Sequence, residues 1–234
     1  NTALQLQIFT ALGAQPPRFG HEALLVGSEG KLSKRLGSLG CEALRERGIE
    51  PEALVALLAR LGTSLPVERI AERAALVETF DLAHFGRAPA RFDDTELERL
   101  NAAIVHQMNY SDVKHRLPAG MTEAGWEAIR PNLAHVGEAA DWWTVVTGPV
   151  EAPELSEEDR DYVGEAARAL AWSDDPWHSL TAALKAATGR KGRALFHPLR
   201  LALTGRDSGP DMKALLPLIG EAEARARLER AAGS

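Results

Sequence analysis

From about residue 36 onward the apolar positions recur at three- and four-residue spacing, and no period-2 run exceeds about five residues, so the chain is predicted to be mostly α. Asn1 can cap a helix running to about Leu12, with Ala3, Leu6, Ile8 and Phe9 apolar and Gly13 as its stop. Pro16 and Pro17 enforce an extended link into His21 to Val26 (HEALLV), the best strand candidate in the chain. Two helices are then expected, Cys41 to Arg47 and Glu50 to Leu61, each followed by a glycine. In the second, Leu54, Leu57, Leu58 and Leu61 fall at i, i+3, i+4 and i+7, a stripe that must bury against a neighbour. A helix from Pro66 to Thr79 follows, and Asp93 or Asp94 can cap another to about Met108. Further helices are expected near 122–135, 138–147, 156–172, 175–188, 191–204, 210–218 and 221–232.

Proline and glycine punctuate this pattern at two places, Gly86 to Arg91 and the stretch around Gly148, Pro149 and Pro153, which read as domain boundaries. No internal repeat is evident. With 234 residues, 45% hydrophobic and 26% charged, the composition is that of an ordinary soluble globular protein of one large or two smaller domains. The single cysteine, Cys41, cannot pair within the chain. With no secretory signal pattern and no apolar run near the ~20 residues a bilayer requires, a cytoplasmic location is expected.

The net charge of −6 speaks against a polyanion partner only if it is spread evenly, and it is not. Residues 1–50 carry six basic and five acidic side chains, residues 51–184 carry 11 and 23, and residues 185–234 carry 10 and five. The C-terminal end is therefore basic behind an acidic middle, compatible either with a polyanion-tolerant end or with acidic faces that serve solubility.

Most routes to chemistry are unpromising. The seven histidines include no i, i+4 pair and the lone cysteine has no ligand partner, so no zinc site is expected. No G-x-S-x-G elbow is present. Trp142 and Trp143 lie in an apolar helix, where core packing is favoured over a base-stacking platform. The informative element is Gly27 to Arg35, GSEGKLSKR. Two ammonium groups three residues apart, a hydroxyl and flanking glycines suit a triphosphate bound under a closing loop, and they equally suit a solvated basic turn. It is not a Walker A loop, whose residue order is absent.

Lys31 to Ser64 (KLSKRLGSLGCEALRERGIEPEALVALLARLGTS) resembles the signature loop of class I aminoacyl-tRNA synthetases and the stem-contact region that follows it in bacterial glutamyl-tRNA synthetases. Ala90-Arg91-Phe92-Asp93 leading to Leu100-Asn101 is similar to that family's entry into the anticodon-binding part. Thr188 to Arg193 (TGRKGR), Pro198-Leu199-Arg200 and Thr204-Gly205 resemble its last characteristic motif, and Leu215 to Gly220 its closing helix. The resemblance spans essentially the whole chain. It implies a mostly α fold: a small α/β remnant of the nucleotide-binding domain at 1–36, a stem-contact helical domain at 37–95, and two helical anticodon-binding subdomains at 96–150 and 151–234.

The same resemblance implies roles. Lys34 would hold the ATP triphosphate as pyrophosphate leaves, with Lys31 and Ser33 in support. Leu25 would either contact the adenine or pack as a strand leucine. Arg190, Lys191, Arg193 and Arg200 are candidates for tRNA contacts near the anticodon, or else exposed bases with buried stems. If 190–200 is one helix, the three arginines share a side, and Pro198 breaks or kinks it. The implied activity is a glutamate–tRNA ligase using ATP, with Mg2+ accompanying the nucleotide, L-glutamate, tRNA(Glu) and a further option of tRNA(Gln); a monomer is expected. The other class signature, of His-x-Gly-His type, does not occur in these 234 residues, so the chain is expected to be the C-terminal half of such an enzyme and inactive alone. The alternatives are a non-catalytic helical tRNA-binding or protein-interaction module, and a shortened tRNA-modifying paralogue disfavoured by the helical arm.

Overall fold

The computed structural model describes residues 1–27, 30–31, 40–67 and 73–233. These form two compact units, Asn1–Glu46 with Pro51–Leu100, and Arg47–Glu50 with Asn101–Ser234.

The first unit begins with helix α1 (Thr2–Ala11), in which no residue is buried and Leu4, Leu6 and Ile8 are exposed. The expected strand is short: β1 (Leu25–Gly27) turns back as β2 (Gly30–Lys31), antiparallel, with Val26 opposite Lys31. The other edge of β1 pairs in parallel with β3 (Ala90–Arg91), the Ala90 and Phe92 amides donating to Leu24 O and Val26 O at 3.0 and 2.8 Å. The segment expected as a boundary at 86–91 is thus the start of a strand pairing that ties residue 90 back to residue 25.

Between the strands lie α2 (Cys41–Glu46), α3 (Pro51–Arg60) and α4 (Arg73–Glu78). Helix α3 buries a different face from the one expected. Ala53, Ala56, Leu57 and Arg60 are buried, whereas Leu58 is 42% exposed. Positions 53, 56, 57 and 60 have the same i, i+3, i+4, i+7 spacing as the leucine stripe, so periodicity cannot choose between them. Arg60, buried, donates to Thr79 Oγ1 at 2.6 Å just past α4. The proposed helix over 66–79 is described only from Arg73, and residues 68–72 lie outside the described residues. Helix α5 (Asp94–Val105) starts as predicted, with Asp93 Oδ1 accepting from the Thr95 amide at 2.9 Å, and the division between the units falls within it at Leu100.

The second unit contains α6 (Tyr110–Val113), α7 (Glu123–Ile129), α8 (Ala139–Thr147), α9 (Glu157–Ala169), α10 (Pro176–Thr188), α11 (Arg193–Thr204), α12 (Met212–Ile219) and α13 (Glu221–Ala232). Helix α6 has no counterpart among the expected elements, because four residues do not complete a periodic pattern. Trp126, Ile129, Val163, Leu180, Leu199, Leu215 and Leu228 share one core that runs from Val105 to Ala231. The stretch around 148–153 is a loop within that core's span. The apolar stripes of the last five helices interlock across it. Trp142 and Trp143 pack against the same core, and the Trp142 indole lies so close to Gly209 that an added Cβ there would sit 2.0 Å from Cη2.

Two polar devices fasten this unit. Asn101, fully buried, accepts the Glu50 amide at 2.7 Å and donates to Ala134 O at 2.7 Å, while Arg116 grips Glu50 through two hydrogen bonds of 2.9 and 2.5 Å. The strap Arg47–Glu50 is held by these contacts. The second device is Arg227 on α13, whose side chain is fully buried. It donates to Val145 O, Val146 O and Gly148 O at the end of α8 and to Leu203 O near the end of α11, at 2.7 to 3.2 Å. Helix C-termini present carbonyls with no intrahelical donor and a negative dipole end, so one guanidinium satisfies and neutralises both.

Candidate nucleic-acid interface

The basic C-terminal motif is a tight turn between two helices. Helix α10 ends at Thr188, and Gly189 closes it in the left-handed conformation (φ 69°), its amide donating to Lys185 O at 3.0 Å. A second left-handed glycine, Gly192 (φ 54°), immediately precedes α11. Two such positions within four residues reverse the chain at little steric cost only because both are glycine.

Arg190 lies on this turn, outside α11, so the single helix that would place it beside Arg193 and Arg200 does not form. Its side chain is only 14% exposed. The guanidinium sits 4.3 Å above the Tyr162 ring centroid and pairs with Asp159 at 2.5 Å and Glu158 at 2.7 Å. Hydrogen bonding to Asp159, opposed by desolvation, raises its pKa further above the usual arginine range. Both acidic partners belong to the first turn of α9, which Ser156 caps by accepting the Asp159 amide at 3.2 Å. Arg190 Nη1 also donates to Ala194 O at 3.3 Å. Tyr162 donates its hydroxyl to Leu195 O at 2.7 Å, and burial, only partly offset by Arg190, pushes its pKa up to about 12.

Helix α11 runs unbroken through Pro198, which is buried. Proline has no N–H for the carbonyl four residues earlier, that of Ala194, and Arg190 supplies a donor there instead. Of the four predicted contact residues, Lys191 and Arg193 are exposed. Arg193 Nη2 approaches His197 Nε2 at 3.4 Å, and His197 is 2.8 Å from Asp207. Arg200 is half-buried and donates to Pro210 O at 3.0 Å, while its Nη1 has no hydrogen-bond partner among the described residues. Burial lowers the pKa of Arg200, with Asp211 acting in the opposite direction. The structure therefore separates the four: Arg190 is an internal brace, Lys191 and Arg193 are exposed surface cations, with Arg193 touching His197, and Arg200 is partly spent.

In the first unit, Leu25 is half-buried in β1 and the Lys31 backbone pairs with Val26. Ser33 and Lys34 lie outside the described residues. Among the described residues no group of three or more His, Cys, Asp or Glu side chains is placed to hold a metal ion, and no helix is long and apolar enough to cross a membrane. The internal brace built on Arg190, Tyr162 and Asp159, and the buried Arg227, were missed in the sequence. The only available signal was Pro198 inside a helical pattern, which demands an outside donor for Ala194.

Residues 1–99 match the catalytic domain of class I tRNA synthetases (E and Q), and residues 151–232 match an anticodon binding domain. Glutamate–tRNA ligase 2 of Erythrobacter litoralis is 69% identical over 99% of this chain and 53% of its own length, and glutamate–tRNA ligase 1 of Rhizorhabdus wittichii is 67% identical over 99% and 53%. A crystal structure of a glutamate tRNA ligase from Elizabethkingia meningosepticum in complex with its amino acid shares the fold, with a TM-score of 0.79 at 22% identity over 100% of this chain and 55% of that one. The chain spans about half the length of the curated relatives it matches, and over that half it is homologous to bacterial glutamate–tRNA ligases.

Proposed function

We propose that this chain is the part of a glutamate–tRNA ligase that grips the tRNA stem and anticodon and carries the ATP-closing loop, within an enzyme that attaches glutamate to tRNA(Glu) through a glutamyl-adenylate. The match of residues 1–99 to the catalytic domain, with residues 151–232 matching the anticodon binding domain, carries this reading. Lys191 and Arg193 supply phosphate contacts from the α10–α11 turn, and the half-buried Arg200 adds its positive charge on α11. Arg190 contributes indirectly by holding that turn in shape.

On the ATP side, Lys34 opposes the charge that develops on the triphosphate as pyrophosphate leaves, with Lys31 and Ser33 supporting the closed loop and Leu25 beside the adenine. A lysine that meets the phosphates only as the loop closes acts on the transition state more than on the ground state; losing such a contact costs roughly 3–4 kcal/mol. ATP brings Mg2+ as its counter-ion, and no residue of this chain is assigned to the metal. The protein works as a cytoplasmic monomer.

Filter binding of labelled tRNA(Glu) to the chain tests the RNA role: binding must weaken steeply as salt rises. Salt-independent binding, or equal binding of an unrelated polyanion such as heparin at the same salt, overturns it. For the ATP role, Lys34→Ala in the full-length enzyme is expected to slow pyrophosphate exchange and leave tRNA affinity unchanged; normal exchange would refute it. Charging purified tRNA(Glu) and tRNA(Gln) side by side with the full-length enzyme decides whether tRNA(Gln) is a second substrate.

A further inference from the structure

Helix α11 has two distinct faces. Leu195, Pro198, Leu199, Ala202 and Leu203 are buried, and the opposite stripe, at i, i+3, i+4 and i+7, is Arg193, Phe196, His197 and Arg200. Phe196 is out of place there: it is an aromatic ring 44% exposed in the middle of a polar stripe. It is not loose, because Trp177, itself packed against the core, lies beside it with ring centroids 6.1 Å apart and an interplanar angle of 35°. Exposed cations stand close by in sequence, Lys191 on the turn and, on the same face of α11, Arg193 one helical turn before Phe196.

An ordered aromatic face with cations on its border matches one kind of ligand well. Unpaired nucleotides present a π-face and a phosphate together, and single-strand-binding surfaces combine these two features. A base-paired helix would use the cations and leave the ring unused. An apolar protein segment would use the ring and leave the cations facing nothing. The pre-positioned ring also lowers the ordering cost of binding.

We propose that Phe196, braced by Trp177, is a stacking platform for an unpaired nucleobase, with Arg193 and Lys191 on the adjoining phosphates. This rests on the RNA-binding function proposed above and adds the residue that stacks and the class of ligand it accepts, a single-stranded loop nucleotide.

The test is fluorescence anisotropy of the 234-residue chain with a synthetic anticodon stem-loop of tRNA(Glu). Phe196→Ala and Phe196→Leu are expected to weaken binding roughly 5- to 100-fold, the range that loss of one base–aromatic stack produces, while Phe196→Trp binds like the parent. The salt dependence stays unchanged in all three, because no phosphate contact is lost. Thermal midpoints within a degree or two of the parent show that the fold is intact. Replacing loop bases one at a time with abasic residues adds a cycle: at the stacked position the abasic loop weakens the parent and leaves Phe196→Ala unaffected. Phe196→Ala or Phe196→Leu binding as tightly as the parent overturns the platform while leaving the RNA-binding function standing. A parent chain that does not bind the stem-loop overturns both.

Discussion

Arg190 donates to the carbonyl of Ala194 at 3.3 Å, the carbonyl that Pro198 leaves without a helical donor. The brace also carries the Tyr162 ring contact and the Asp159 and Glu158 pairs, so Arg190→Ala strands several part-buried groups at once. A loss of about 1–3 kcal/mol is expected in urea unfolding. Arg190→Lys is expected to recover little of it, since an ammonium cannot keep the fork geometry and the ring contact together. A stability equal to the parent in both variants would show that the brace is incidental.

The surface cations next to it behave differently. Lys191→Gln and Arg193→Gln are expected to leave stability within about 0.5 kcal/mol of the parent. Each weakens tRNA(Glu) binding and reduces the slope of log affinity against log salt by about one. Titrations at several salt concentrations measure both effects, and an unchanged slope removes that residue from the phosphate contacts.

Arg227 holds four carbonyls at the ends of α8 and α11. Arg227→Met keeps much of the volume and removes every donor, with an expected cost of about 3–5 kcal/mol. Amide hydrogen exchange should quicken first at the C-terminal turns of α8 and α11. A uniform increase across the unit would point to global loss of packing instead.

Tyr162 and Glu223 set opposite pH edges. The Tyr162 pKa rises from 10.0 to about 12 on folding, so its neutral form contributes stability that is complete below pH 10 and lost as pH climbs toward 12. Tyr162→Phe should remove that part of the alkaline limb. Glu223, hydrogen-bonded to Arg227 and Arg230, is held below its ordinary 4.5. Its contribution is present above pH 4.5 and lost as pH falls through the depressed value. Glu223→Gln should therefore flatten the acid limb in thermal melts recorded across pH.

Gly209 approaches the Trp142 indole so closely that Gly209→Ala must displace the ring. An expected cost of about 1–3 kcal/mol is accompanied by a shift in tryptophan emission. Unchanged emission would mean that the loop moves and the indole does not.

Periodicity, capping and glycine stops were enough to place helices α5 and α8 through α13, because each is long and its apolar stripe recurs over several turns. The motifs around Lys31 to Arg35 and Thr188 to Gly205 were enough to point to the family. Sequence could not choose the buried face of α3, since Ala53, Ala56, Leu57 and Arg60 repeat at the same interval as its leucines. Nor could it place the strand partner of Leu25, which lies 65 residues away at Ala90.

It also grouped Arg190 with Lys191 and Arg193 as like cations. Charge is a property of the residue and is fixed by the sequence; whether a charge faces solvent or is consumed by a carboxylate, a ring and a carbonyl depends on what folding brings within hydrogen-bond distance. Asp159 and Tyr162 reach Arg190 from about 30 residues away, and Val145 and Leu203 reach Arg227 from 82 and 24. Local pattern therefore decided which helices form and which family they resemble, and long-range contact decided which arginines are left for a ligand.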